Sequence, residues 1–102
     1  MTEGHIDPVI HAPSRLAIIS LLAAVESADF KFIRDQVGLT DSALSKQFST
    51  LEEAGYLLIE RPVSNHRRRV RARLTREGRA AFEGHVAALR AIVGAGTPGA
   101  VV

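Results

Sequence analysis

Two short amphipathic segments lie close together in the middle of this chain, and they constrain its fold more than any other feature. Their apolar residues follow a helical spacing and are Phe30, Phe32, Ile33 and Val37 in the first segment and Leu44, Phe48 and Leu51 in the second. Gly38 suits the residue that ends a helix, Thr40 can cap the next helix, and Gly55 stops it. The pattern predicts helices over 29–37 and 41–54, joined as a helix-turn-helix.

The segments on either side predict further helices and one β-hairpin. The predicted elements are a helix start at Asp7 and Pro8, a helix over 14–25, strands over 56–59 and 69–74, and a last helix over 76–93 that Thr75 caps. Asp29 is expected to cap the first helix of the central pair. The fold class is therefore mainly α with a small β-hairpin, in one domain over residues 1–93. Residues 94–102 are rich in glycine and are expected to form a flexible tail.

Positive charge is concentrated in one part of the chain. The whole sequence has 13 basic and 11 acidic side chains, which gives a net charge of +2. Residues 61–79 nevertheless contain 8 arginines and one acid, Glu77, whereas residues 1–60 are net acidic. Arginines this close repel one another unless an anion neutralises them. The asymmetry therefore indicates a polyanionic partner, which is most often nucleic acid.

Several functional classes are excluded by what the sequence lacks. It contains no cysteine, which excludes a disulfide framework, a thiolate zinc site and a cysteine nucleophile. No apolar run approaches the ~18 residues of a membrane span, and no basic region precedes an apolar signal-peptide core. We therefore expect a cytoplasmic protein that has no membrane partner. The P-loop, G-x-S-x-G, G-x-G-x-x-G and H-E-x-x-H motifs do not occur in the sequence, so an enzyme is not expected.

Three segments carry a resemblance to a known family. They are DPVIHAPSRLAIISLL (7–22), LTDSALSKQFSTLEEAGYL (39–57) and LTREGRAAF (74–82), with the basic hairpin between the last two. The sequence resembles bacterial winged-helix transcriptional regulators of the MarR/ArsR type, in particular their small single-domain relatives. The resemblance implies a winged helix-turn-helix fold and a homodimer that binds double-stranded DNA and regulates transcription, with repression by promoter occlusion favoured. A small-molecule effector would bind between the helices at the dimer interface, and the sequence does not identify one.

The open face of the helix over 41–54 is expected to contact DNA. At about 100° per residue, the side opposite the apolar stripe carries small hydroxyl side chains and one lysine. Hydroxyl groups allow close entry into the major groove, and Lys46 can reach phosphate or guanine. The predicted contact residues are Thr40, Ser42, Ser45, Lys46, Gln47, Ser49 and Thr50. Without a partner, the same pattern is an ordinary solvated helix face.

The hairpin is expected to supply a basic wing. Its arginines can lie along the phosphate backbone, and an arginine at the tip can enter a narrow minor groove. The predicted wing residues are Asn65, His66, Arg67, Arg68, Arg69 and Arg71. The alternative is a solubilising edge strand, because charge blunts sheet edges. This alternative applies most to Arg71 and Arg73, whose strand face can point away from DNA.

Two apolar stripes run along the helix over 76–93, so it needs two partners. The stripes consist of Phe82, Val86, Leu89 and Val93 and of Ala81, His85, Ala88 and Ile92. One partner is the rest of the domain, and the other is expected to be a second subunit, with Gly84 permitting close approach. The predicted dimer interface consists of Val9, Ile10, Phe82, His85, Val86, Leu89, Ile92 and Val93. Packing of this helix on one domain only is the alternative.

The four histidines are scattered and predict no metal site on their own. His11 and His85 can meet at a dimer interface and bind a metal there, but a lone histidine is more often a packing or capping residue. We therefore expect neither a metal nor a cofactor. Two functions of different classes remain open: the DNA-binding regulator, and a winged-helix module that docks proteins through its basic hairpin. The arginine run and the hydroxyl-lined helix favour the first.

Overall fold

Five helices and five short strands follow one another along the described residues of the computed structural model, which are 4–61, 63–64 and 67–95. The helices are α1 (Pro8–His11), α2 (Pro13–Ala23), α3 (Phe30–Val37), α4 (Asp41–Glu53) and α5 (Arg76–Ala95). The strands are β1 (Ala28–Asp29), β2 (Leu57–Glu60), β3 (Val63–Ser64), β4 (Arg67–Arg68) and β5 (Arg71–Leu74). This order is that of a winged helix-turn-helix with a long C-terminal helix, and it confirms the predicted fold class.

Each of the first two helices begins at a proline. Pro8 occupies the first turn of α1. Asp7 caps this helix, because its carboxylate accepts hydrogen bonds from the backbone N–H groups of Val9 (2.8 Å) and Ile10 (3.4 Å). Pro13 begins α2, which therefore runs over 13–23 rather than the predicted 14–25. The buried residues of α2 are Ile18, Ile19 and Leu22.

The turn between α3 and α4 confirms the predicted helix-turn-helix. Gly38 adopts a left-handed conformation with φ of 71°, and its N–H donates to the carbonyl oxygen of Arg34 at 2.9 Å. Thr40 caps α4, since its hydroxyl oxygen accepts a hydrogen bond from the N–H of Ala43 at 3.1 Å. The buried residues of α4 are the predicted stripe of Leu44, Phe48 and Leu51.

Asp29 does not cap α3, contrary to the prediction. It precedes the helix in an extended conformation, but its carboxylate makes no capping hydrogen bond. As a residue of β1 it lies opposite Arg71 of β5, and 3.4 Å separate its Oδ1 from the Nη1 of Arg71. The charge of the guanidinium in the neighbouring strand attracts the carboxylate away from the helix end.

A three-stranded antiparallel sheet in the order β1–β5–β2 packs against the helices. Ala72 of the central strand lies opposite Ala28 on one side and Ile59 on the other, and all three side chains are buried. Strand β2 begins at Leu57 and β5 at Arg71, each slightly later than predicted. The outer part of the hairpin is a separate ladder of β3 and β4, which the sequence pattern did not distinguish.

The hydrophobic core lies between α2, α3, α4 and the sheet. Its largest side chains without exposed surface are Ile10, Ile18, Ile19, Leu22, Ile33, Leu44 and Leu51. Phe30 of α3 and Phe48 of α4 pack edge to face, with 5.6 Å between their ring centroids. The two helices of the central motif are therefore held to each other as well as to α2.

The start of α5 packs closely on Gly55 and Tyr56, in the segment between α4 and β2. Thr75 caps α5 as predicted, because its hydroxyl oxygen accepts a hydrogen bond from the N–H of Gly78 at 3.0 Å. The same hydroxyl donates to the carbonyl oxygen of Gly55 at 2.6 Å. A Cβ atom at Gly78 would lie 2.3 Å from the carbonyl oxygen of Tyr56, so only glycine permits this approach.

α5 continues beyond the predicted end. Gly94 and Ala95 belong to the helix rather than to the predicted tail, since a single glycine near a helix end costs only ~1 kcal/mol. Residues 96–102, the rest of that predicted tail, lie outside the described residues. None of the helices in the described ranges combines the length and the apolar character needed to cross a membrane.

A partly buried polar network joins the start of the chain to α5 and to Tyr56, which follows α4. His85 has no exposed surface, and its Nδ1 accepts a hydrogen bond from the backbone N–H of Asp7 at 3.0 Å. The carboxylate of Asp7 accepts a second hydrogen bond from the hydroxyl of Tyr56. On the other side of His85, its Nε2 lies 3.4 Å from the Nδ1 of His11. Because a backbone N–H only donates, Nε2 of His85 must carry the ring proton.

The network sets the charge state of its members. Burial opposes ionisation of Asp7, but hydrogen bonds from Tyr56 and from two backbone N–H groups of α1 outweigh it and lower the pKa of Asp7. The hydrogen bond to Asp7, together with burial, raises the pKa of Tyr56 to about 12. Burial, and then the neighbouring His11, lower the pKa of His85, which favours its neutral form in the fold.

We predict that the stability of the fold decreases as the pH is lowered from about 7.5 to 5.5. His85 resists protonation in the folded chain, whereas in the unfolded chain it binds a proton with a pKa of ~6.5. The unfolded state therefore gains protons first, and one such histidine lowers the free energy of unfolding by at most about 1.4 kcal/mol per pH unit. The pKa of Asp7 is lowered, so this carboxylate does not titrate in the window.

Urea denaturation at several pH values, with the variant His85→Asn, checks this prediction. The Oδ1 of asparagine can accept the N–H of Asp7 in place of Nδ1, but it does not titrate in this range. His85→Asn is expected to reduce the dependence of the unfolding free energy on pH. The matched control His5→Asn, at an exposed histidine, is expected to keep the dependence of the parent protein. Equal pH dependence in the parent and in His85→Asn would contradict the role of His85.

Candidate nucleic-acid interface

The exposed face of α4 carries hydroxyl groups and one lysine, as the sequence predicts. The exposed side chains of its first three turns include Ser42, Ser45, Lys46 and Ser49. Glu52 and Glu53 are exposed at the C-terminal end of the helix, where their charges repel phosphate. The part of α4 that suits a nucleic acid is therefore its N-terminal and middle part.

Four of the predicted contact residues have side-chain partners within the protein. Thr40 caps α4, as described above, and 3.5 Å separate its hydroxyl oxygen from that of Ser42. The hydroxyl of Thr50 donates to the carbonyl oxygen of Lys46 at 3.2 Å. The side-chain oxygen of Gln47 accepts a hydrogen bond from the Nη1 of Arg15 in α2 at 2.9 Å. These residues contribute to the conformation of the motif as well as to its surface.

An arginine of α3, which the sequence pattern did not indicate, neutralises the start of α4. The Nη1 of Arg34 donates to Asp41 at 2.7 Å, and its Nε donates to Asp35 at 3.0 Å. These hydrogen bonds, first the one to Asp41 and then the one to Asp35, raise the pKa of Arg34. Asp41 stabilises the N-terminus of α4, and its pairing with Arg34 reduces the repulsion that it exerts on a phosphate nearby.

The base of the wing is held by Asp29. The Nη2 of Arg71 donates to the hydroxyl of Ser27 at 2.8 Å, and its Nη1 pairs with the carboxylate of Asp29. Arg71 thus joins β5 to β1, which argues against its predicted role as a DNA contact. Arg69 reaches the same carboxylate only at 3.9 Å, and its side chain is 69% exposed. Of the two predicted wing arginines with described side chains, Arg69 is therefore the one placed to bind an external anion.

The outer part of the wing is described only in part. Asn65 and His66 lie outside the described residues. Arg67 and Arg68 form strand β4, of which the backbone is described but the side chains are not. Their assignment to DNA binding stays a prediction.

A cleft lies between α4 and the hairpin, and the described residues that line it include predicted contact residues of α4 but none of the predicted wing residues. Its volume is about 330 Å³. It is lined by Phe30, Asp41, Ser45, Phe48, Ser49, Ile59, Arg61 and Val70. Ser45 and Ser49 of α4 therefore share one concave surface with Arg61, which directly follows β2. Arg61 was counted in the basic window of the sequence but was not assigned to the site.

The predicted dimer interface is present only in part on the surface. Its half-buried residues are Val9, Phe82, Val86 and Leu89. Its exposed residues are Ile92 (60%) and Val93 (69%). Ile10 and His85 have no exposed surface. Ile10 belongs to the core, and His85 is bound to the start of its own chain. This corrects their assignment, because neither has surface left for a second subunit.

The two histidines considered as metal ligands meet within one chain rather than between subunits. His11 and His85 lie edge to face, with 5.2 Å between their ring centroids. Across the described part of the chain, no three histidine, cysteine, aspartate or glutamate side chains form a group that could hold a metal ion. The histidine pair therefore serves the polar network at the start of the chain.

Comparison with known proteins supports the interpretation of the fold. A family model described as a winged helix DNA-binding domain matches residues 14–93. An uncharacterized protein of Methanocaldococcus jannaschii is 27% identical over 78 residues, which cover 76% of this chain and 85% of that protein. A transcriptional regulator homologue from Pyrococcus horikoshii has a similar structure, with a TM-score of 0.81 and 23% identity over 85% of this chain and 86% of the other.

The MarR-type fold is represented among the solved structures that resemble this chain. The zinc-responsive MarR family member ZitR of Lactococcus lactis has a TM-score of 0.65 and 21% identity, over 87% of this chain and 60% of that protein. The resemblance noted in the sequence is thereby confirmed for the winged-helix, MarR-like fold. The chain therefore belongs to the family of winged helix DNA-binding domains and has the fold of MarR-type regulators.

Proposed function

We propose that the chain is a homodimeric regulator of transcription that binds a specific sequence of double-stranded DNA and acts as a repressor. The observation that carries the proposal is the concave surface shared by α4 and the hairpin, where exposed serines and Arg61 line the same cleft. Membership of the winged helix DNA-binding domain family supports DNA as the ligand. Repression follows if the bound protein occupies a promoter and excludes polymerase.

In this proposal α4 is the recognition helix and enters the major groove with its N-terminal half. Ser42, Ser45 and Ser49 are small, so the helix backbone can approach the bases closely. Lys46 donates to guanine or to phosphate. Thr40, Gln47 and Thr50 each have a partner inside the protein and suit the phosphates at the walls of the groove.

The wing supplies most of the electrostatic attraction in this proposal. Arg69 is exposed at the base of the hairpin, and Arg67 and Arg68 form β4, directly after Asn65 and His66 in the sequence. Guanidinium groups on phosphates release counterions and increase affinity for any sequence. An arginine at the tip can also enter a narrow minor groove. Arg71 is assigned to the sheet instead, because it already pairs with Asp29 and Ser27.

The proposed dimer forms through α5 and the start of the chain. Ile92 and Val93 are large apolar side chains that remain mostly exposed near the end of α5. Together with the half-buried apolar residues earlier in the helix, they form a surface that a second copy can cover. A dimer of this kind places two recognition helices on half-sites about 34 Å apart, or a multiple of that distance. The proposal includes no particular effector.

Alanine substitution of Ser42 or Lys46 is expected to reduce discrimination between a selected duplex and a scrambled duplex of the same composition. Each lost base contact costs ~1–3 kcal/mol on the selected duplex and little on the scrambled one. The measurement is the ratio of the two affinities, after selection of the duplex from a random pool by the parent protein. Ser20→Ala and Lys31→Ala change exposed residues of α2 and α3 and serve as matched controls.

The same experiment separates the alternatives. An unchanged ratio in both α4 variants would contradict the placement of this face against bases. Equal losses on both duplexes would assign the residue to phosphate instead. A parent protein that binds no duplex would contradict the proposed function and favour the module that docks proteins through its basic hairpin.

Leu89→Glu is expected to convert a dimer into a monomer, because a charge would be buried at the interface without a partner. Sedimentation at micromolar concentration measures the change, and DNA affinity is expected to fall because two half-sites are no longer bound together. Ala91→Glu adds the same charge at an exposed position on the opposite side of α5 and is expected to leave the dimer intact. A parent protein that sediments as a monomer would contradict the proposed interface.

A further inference from the structure

Arg15 of α2 connects the first helix of the chain to α4. Its Nε donates to the carbonyl oxygen of Val9 in α1 at 2.5 Å, and its Nη1 donates to the side-chain oxygen of Gln47 at 2.9 Å. Arg15 and Gln47 are both only partly exposed, so water competes weakly for these contacts. One guanidinium therefore holds two helices in a defined relation.

The contact with Arg15 determines which end of the Gln47 amide faces outward. A guanidinium group contains only donors, so the amide oxygen and not the amide nitrogen must face it. The Nε2 group of Gln47, with its two N–H donors, then points away from Arg15. Without this contact the amide could present either its donor end or its acceptor end.

The position of Gln47 on α4 suits a contact with the DNA backbone. Gln47 lies on the flank of the helix, between the buried stripe and the exposed Lys46. When a helix occupies the major groove, its outer face meets the bases while its flanks approach the phosphates of the groove walls. Phosphate oxygens accept hydrogen bonds, so a donor is the group that this position requires.

We propose that Arg15 is a positioning residue for DNA binding, which orients the amide of Gln47 so that Nε2 donates to a phosphate oxygen at the wall of the groove. The inference rests on the proposed function of α4 as recognition helix. It gives Gln47 a role in fixing the register of α4 on the duplex rather than in reading its sequence. The other contact of Arg15, with Val9, makes this orientation depend on the position of α1.

A double-mutant cycle on one duplex, repeated over a range of salt concentrations, tests the proposal. Arg15→Ala is expected to weaken binding to selected and scrambled duplexes alike by about 3–10-fold, the effect of one hydrogen bond. The slope of log affinity against log salt stays the same, because a neutral amide on a phosphate releases no counterion. Gln47→Met is expected to cause a similar loss, and Arg15→Ala causes no further loss in the Gln47→Met background.

Two results would overturn the positioning role while leaving DNA binding by the parent protein intact. If the slope of log affinity against log salt is smaller by about one unit in Arg15→Ala than in the parent protein, the guanidinium itself contacts a phosphate. Equal losses in the presence and absence of Gln47 would show that Arg15 acts through another contact. A parent protein without affinity for any duplex is a different result, which overturns the proposed function and this inference together.

Arg15→Lys extends the cycle to a variant that keeps the charge, in case Arg15→Ala does not fold. One ammonium group does not reproduce the fork that reaches both acceptors, so binding is again expected to weaken only where Gln47 is present. Arg90→Ala removes an equal charge from an exposed position on α5 and is expected to change affinity less than twofold. Thermal melting confirms that each variant is folded at the temperature of the assay, and an unaltered affinity in Arg15→Lys would overturn the proposal.

Discussion

Burial of three side chains on α4 determines what the rest of this surface can do. Leu44 and Leu51 have no exposed surface, and Phe48 is only 3% exposed. Rotating α4 about its axis would expose this stripe, at a cost of about 1.5–3 kcal/mol for each side chain. The serines and Lys46 are therefore held on the outer side, and every contact proposed between α4 and DNA depends on that orientation.

Polar contacts support this orientation along the length of the helix. Arg34 holds the start of α4 through Asp41, and Arg15 holds its middle through Gln47. Beyond its end, Tyr56 donates a hydrogen bond to the carboxylate that caps α1. The surface is thus largely formed before a ligand binds, which lowers the conformational entropy lost on binding.

The helix-turn-helix could be predicted because its signals are local. Gly38 and Thr40 act within a few residues of their own positions, and the stripe of α4 follows from helical spacing alone. The exposed face of α4 was predictable for the same reason. Local signals also explain one error, since the glycines after residue 93 indicated a tail although α5 continues through Gly94.

The remaining errors concern contacts between residues far apart in the sequence. His85 lies on an apolar stripe that equally suits a second subunit, and its actual partner Asp7 is 78 positions away. Asp29 has the usual residue type of a helix cap, but sheet pairing places it opposite Arg71. No periodic pattern encodes the contact between Arg15 and Gln47, which are 32 positions apart. Such pairings depend on the tertiary fold. The sequence alone therefore could not distinguish side chains that face a ligand from side chains that are already bonded within the protein.

Joint binding of duplex DNA by α4 and the wing is tested most directly by affinity measured against salt concentration. The parent protein is compared on one duplex with a variant that combines Arg67→Ala, Arg68→Ala and Arg69→Ala. For the parent, log affinity is predicted to fall linearly with log salt, and the variant is predicted to bind more weakly with a slope smaller by up to about three units. Parallel lines of equal slope would contradict contact between the wing and phosphate.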